Sequence, residues 1–198
     1  MPLKISPKIW LLVLLFLAAT IALTWKAKAL EKRLLRDSSS SSALVDKPAP
    51  DVQLASLSGQ TVSLQDFRGK KKVVISFWAS WCGPCRLELP VLQAFYEKYH
   101  PGSDTFEILA VSTDEDHSEA EKYAKEAGLR FPILWDPHGE AQSAFGVDSI
   151  PALFVIDEKG KVLSVDVGFD SAMEFKLLQR LNLKPVPKAP ENNDHTSD

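Results

Sequence analysis

Val73-Val74-Ile75-Ser76-Phe77-Trp78 is a near-continuous apolar, β-branched run, and after three more residues Cys82-Gly83-Pro84-Cys85 opens a segment of helical period. A run of that kind suits a strand covered on both faces. Such a strand needs layers packed on either side of it, which restricts the chain to an α/β sandwich. Residues 84–99 carry Leu87, Val91, Leu92, Phe95 and Tyr96 at helical spacing, with Pro90 placed to kink the pattern. Phe106-Glu107-Ile108-Leu109-Ala110-Val111-Ser112 reads as a second buried strand, which completes a βαβ unit.

The flanks extend the sheet. Val52 and Leu54, a turn at Ser58-Gly59-Gln60, and Thr61-Val62-Ser63-Leu64 form a short hairpin. Ser118-Glu119-Ala120-Glu121 reads as a capping box for a helix that Gly128 closes. Phe131-Pro132-Ile133-Leu134 and a short helical piece at 139–145 lead to Ile150-Pro151. Residues 152–156 and 161–167 flank the turn Asp157-Glu158-Lys159-Gly160, a second hairpin. Ser171-Ala172-Met173-Glu174 then caps a last amphipathic helix bearing Phe175, Leu178 and Leu181. The expected domain, residues 46–183, is an α/β fold with a mixed central β-sheet flanked by helices.

The ends differ from the body. Residues 9–25 contain no charge and run about 25 Å as a helix, the short end of a membrane span, with Trp10 and Trp25 at its borders. A short segment, 1–8, precedes it. A cleaved signal peptide is the competing reading, since Ala27-Lys28-Ala29 resembles a cleavage site, but the apolar run exceeds an ordinary signal core. We read it as a transmembrane signal-anchor that makes the lipid bilayer a partner. Residues 26–45, basic and then Ser-rich, read as a tether, and 184–198 as a flexible tail. Of 23 Lys/Arg and 26 Asp/Glu, seven and one stand in the first 36 residues, so the remainder carries 16 basic and 25 acidic residues, a net −9. A body of that sign repels phosphate, which excludes nucleic acid as a partner class. Charge counting around the span would by itself place the body in the cytoplasm.

Cys82 and Cys85 are the only cysteines. They exclude a multi-disulfide scaffold, a four-cysteine zinc site and an all-cysteine iron–sulfur cluster from one chain. Half a zinc knuckle needs two further ligands, and His100, His117, His138 and His195 show no paired spacing, so no metal site is expected. At a strand–helix junction the pair has a redox logic. Cys82 sits where unpaired N–H groups and the helix dipole favour a thiolate. Cys85, one turn in, is more buried and keeps its proton longer. Cys82 attacks a substrate disulfide, and Cys85 then resolves the mixed disulfide and closes the Cys82–Cys85 bridge, with no other cofactor.

Phe77-Trp78-Ala79-Ser80-Trp81-Cys82-Gly83-Pro84-Cys85 with Pro90 resembles the thioredoxin superfamily. The Pro48-Ala49-Pro50-Asp51 stretch, Leu64-Gln65-Asp66-Phe67-Arg68-Gly69-Lys70 and the segment near Phe131-Pro132-Ile133-Leu134 are similar to its membrane-anchored TlpA/ResA-like group, on the redoxin (AhpC/TSA) branch. The resemblance implies a thioredoxin-like fold and a thiol–disulfide oxidoreductase whose domain lies outside the cytoplasmic membrane. It implies that client protein disulfides are reduced, as in cytochrome c biogenesis, with a membrane thiol carrier as electron donor. It makes Pro151 a cis-proline whose neighbour Ile150 pairs with the client backbone, and places Trp81, Gly83 and Pro84 on the substrate side. Trp81 there either shields the thiolate or packs. Cytosolic thioredoxins carry a buried Asp six residues before the first cysteine, where this chain has Ser76. The ResA-like branch instead carries a Glu at the position of Glu88, which makes Glu88 the candidate proton acceptor for Cys85.

Two other functions compete. A thiol peroxidase of the redoxin branch would place a P-x-x-x-T-x-x-C pattern before its cysteine, and Cys82 lacks it. A Sco-like copper metallochaperone uses C-x-x-x-C and a distant histidine; here the spacing is one residue shorter, with His138 in a loop.

Overall fold

The computed structural model describes residues 41–101 and 104–186, together with Leu17, Thr20, Ile21, residues 23–26 and Lys28. The chain divides into two units, Met1–Ser40 and Ser41–Asp198. The described residues of the first are helical, and Thr20 and Thr24 Oγ1 donate to the carbonyls of Leu17 and Ile21 at 2.9 and 2.8 Å. Among the described residues no helix is long and apolar enough to cross a membrane. Much of the expected span at 9–25, and residues 187–198 of the expected tail, lie outside the described residues.

The second unit holds one seven-stranded sheet in the order β2-β1-β5-β4-β3-β6-β7. Its strands are β1 (Gln53–Ser56), β2 (Thr61–Ser63), β3 (Lys72–Trp78), β4 (Phe106–Ser112), β5 (Ile133–Trp135), β6 (Ala152–Ile156) and β7 (Val162–Val167). The helices are α1 (Cys85–Tyr99), α2 (His117–Glu126), α3 (Glu140–Ala144) and α4 (Met173–Leu181). β3, β4 and β5 run parallel, and the other pairings are antiparallel, which is the expected mixed sheet.

Alternation along β3 divides the core. Val74 and Trp78 pack with Leu89, Leu92, Tyr123 and Leu177 on the side of α1, α2 and α4. Val73, Ile75 and Phe77 pack with Phe145 and Phe154 on the side of α3. Successive strand residues face opposite ways, so one strand serves both layers.

Three local expectations are corrected, and contacts with the folded body are seen as far back as Ser41, ahead of the expected start at 46. Ser41 Oγ donates to Gly146 O at 2.6 Å, and Asp46, Lys47 and Ala49 exchange backbone hydrogen bonds with Val162 and Gly160. These contacts occupy polar groups along β7, an edge strand that would otherwise be open there. The N-cap of α2 is Asp116, whose carboxylate accepts from Ser118 N at 2.8 Å, so Ser118 is inside the helix. At α4, Asp170 accepts from Ala172 N, and Ser171 does not cap. The buried stripe of α4 is Met173, Leu177 and Leu181 at intervals of four, which turns Phe175 out to solvent.

Candidate active site

β3 ends at Trp78, and the next residues are fixed by β4. Asp114, buried just past the end of β4, accepts hydrogen bonds from Ser80 N (3.0 Å), Ser80 Oγ (2.7 Å) and Ser112 Oγ (2.8 Å). Sequence reasoning passed over Asp114; its signal was an acid set immediately after a buried strand, on the same end of the sheet as the cysteines. With Ser80 held, Cys82 N donates to Ala79 O at 3.1 Å and the chain turns into α1.

Cys82 and Cys85 are joined in a disulfide with their Cα atoms 5.3 Å apart. Cys82 is 5% exposed and Cys85 not at all, so attack from outside can reach only Cys82. Cys85 N donates to Cys82 Sγ at 3.2 Å. An amide of the first helical turn is thus directed at the Cys82 sulfur. Gly83 and Pro84, between the two cysteines in the chain, are exposed. Trp81 beside them is 72% exposed. The Ile150-Pro151 peptide is cis, and Pro151 O accepts from Gly168 N at 2.8 Å.

α1 departs from its expected face. Leu87 is exposed, whereas its neighbour Glu88 is buried with Cys85, Leu89 and Leu92. An acid inside and a leucine outside invert the amphipathic pattern, and an inversion of that kind marks a site where function opposes stability. Ser76 Oγ donates to Glu88 Oε1 at 2.8 Å. The strand position that drew notice only for lacking an aspartate therefore supplies the hydrogen bond to the buried glutamate. Burial pushes the Glu88 carboxyl up; the Ser76 bond opposes this and the charge of Asp166 adds to it, leaving the group at about 7. A carboxyl poised there can both take and release a proton near neutral pH.

Residues 45–165 match the model of the AhpC/TSA family. The chain is 38% identical over 132 residues to the thiol-disulfide oxidoreductase ResA of Geobacillus thermodenitrificans, covering 67% of this chain and 74% of that protein. It is 37% identical over 138 residues to the thioredoxin-like protein YneN of Bacillus subtilis, covering 68% and 77%. The crystal structure of StoA from Bacillus subtilis aligns with a TM-score of 0.56 at 28% identity, over 66% of this chain and 97% of that one. With its paired cysteines bridged at the strand–helix junction, the chain belongs to the AhpC/TSA family and is a thioredoxin-like thiol-disulfide oxidoreductase related to ResA.

Proposed function

We propose that this oxidoreductase reduces disulfides of client proteins outside the cytoplasmic membrane, tethered there through residues 9–25, in the manner of cytochrome c biogenesis. The observation that carries the reading is the buried Glu88 beside Ser76, one turn along α1 from Cys85. In the reduced protein the Cys82 thiolate attacks a client disulfide, and the first client thiol leaves. The client chain lies against Trp81, Gly83 and Pro84, its backbone paired with that of Ile150 ahead of Pro151. Glu88 takes the proton of Cys85, whose thiolate attacks Cys82 Sγ. The Cys82–Cys85 bond forms, the mixed disulfide breaks, and the second client sulfur departs and is protonated from solvent. A membrane thiol carrier then returns two electrons to the bridge. The uncharged run and the acidic body support export, and Gly83-Pro84 between the cysteines supports reduction over oxidation.

Two measurements on the full chain in membranes test this. A Cys85→Ser variant should accumulate mixed disulfides with extracytoplasmic proteins. Equilibration with glutathione should give a potential near the roughly −270 mV of reducing thioredoxins. A potential near the roughly −120 mV of strong oxidants, or clients confined to the cytoplasm, would overturn the proposal.

A further inference from the structure

Glu88 lies at the inner end of a narrow crevice between β7 and α4, with Leu153 and Met173 as apolar walls. Its open space, about 10 Å³, is enough for roughly one water molecule. Apart from Gly168, the rest of its lining is charged and increasingly exposed towards the outside. The side chain of Asp166 is 18% exposed, Arg180 25%, Lys176 35% and Asp170 40%. These groups are tied together. Lys176 Nζ reaches Asp166 Oδ1 at 3.0 Å and Asp170 Oδ2 at 2.5 Å, and Arg180 pairs with Asp166 Oδ2. Burial would raise the Asp166 carboxyl, but the hydrogen bonds and charges of Arg180 and Lys176 outweigh it and hold the group below the usual aspartate range. Asp166 is therefore ionised whenever Glu88 titrates. Four charged groups thus face Glu88 across the crevice: Asp166 from β7, Asp170 from the following loop, and Lys176 and Arg180 from α4. From β3 it meets the Ser76 hydroxyl.

We infer that Asp166, clamped by Lys176 and Arg180, is a positioning residue for the redox reaction: it sets across the crevice how firmly Glu88 holds its proton, and the crevice is the passage by which that proton reaches solvent. The inference rests on Glu88 as the acceptor from Cys85. Only a proton moves along this passage, from the Glu88 carboxyl to water, while the electron pair remains in the sulfur exchange. Asp166 touches neither sulfur nor client in this scheme. Its negative charge makes the Glu88 carboxylate less favourable, and the cations of α4 moderate that effect.

The sign of two substitutions tests this. In the full-length protein, with Glu88 followed by carboxyl-carbon NMR, Asp166→Asn should lower the Glu88 midpoint by about half a unit to one unit. Lys176→Met should raise it, because Asp166 is then less neutralised. The pH profile of disulfide exchange should move with each midpoint. Midpoints that stay fixed, or that move the same way in both variants, overturn the inference, as does a Glu88 with no reversible titration in the folded protein. A Glu88→Gln variant separates the two proposals. A flattened profile there beside an unresponsive midpoint in Asp166→Asn refutes the crevice and leaves Glu88 as acceptor. An unaltered profile in Glu88→Gln refutes Glu88 as acceptor, and with it the catalytic part of the inference.

Discussion

The two faces of the central sheet are made by alternate residues of one strand, yet they are built to different standards. On the α3 face, Phe77, Phe145 and Phe154 meet with ring centroids 5.0–5.8 Å apart, in a cluster made entirely of apolar residues. On the α1 face, Ser76 stands between Val74 and Trp78 and reaches a buried glutamate, with Cys85 of the disulfide at the start of the same helix. The difference teaches where the fold is held and where it works. The aromatic face contributes burial and edge-to-face packing, and its buried carboxylate, Asp136, is satisfied by the amides of Glu140 and Gln142 at the start of α3. The opposite face keeps a carboxyl out of water, at a cost in stability.

Substitutions on either face sharpen that contrast. Phe145→Ala should destabilise most, by about 3–5 kcal/mol in denaturant unfolding, because it opens a cavity in a closed apolar cluster. The pH dependence of its disulfide exchange should stay that of the parent. A smaller effect of opposite sign is expected at Glu88. Its folded value of about 7 lies above the ordinary 4.5, so between those limits the native state holds more protons than the unfolded chain. Stability is then fullest below about pH 4.5 and falls as pH rises to about 7, by roughly 3 kcal/mol in all. Glu88→Gln escapes that loss and should gain up to roughly 2–3 kcal/mol over the parent at pH 8, with little change at pH 4.5. Equal gains at both pH values would show that ionisation of Glu88 is not what destabilises this face. The smallest effect belongs to Ser76→Ala. It removes the hydrogen bond that lowers the Glu88 value, and should move the exchange profile to higher pH by about half a unit to one unit. A shift to lower pH would contradict the role given to the hydroxyl.

The same contrast explains what could be read from the chain beforehand. β3, β4 and β6 were legible because a strand buried on both faces leaves an unbroken apolar signature in local sequence. Cys82 and Cys85 were legible from spacing, and cis Pro151 from family resemblance. The burial of Glu88 was not, because at helical period Leu87 is the better core residue, and the carboxyl's hydrogen-bond partner, Ser76, is twelve positions away on another element. The Asp166, Lys176 and Arg180 cluster joins a strand to the helix after it, and no local pattern specifies that pairing. Helix starts were misplaced for a simpler reason. Asp116 and Asp170 reach forward to amides two residues on, while neighbouring serines offer an equally plausible cap on paper.

The central claim is that Glu88 takes the proton from Cys85 when the bridge closes. It is tested most directly by the rate at which the reduced protein closes Cys82–Cys85 onto a model disulfide, followed from pH 5 to 9 in the parent and in Glu88→Gln. The account predicts a rise through about pH 7 in the parent. In the variant it predicts slower closure at neutral pH and a rise displaced towards the range of an unassisted thiol, about 8.5 or above. Superimposable profiles would contradict it.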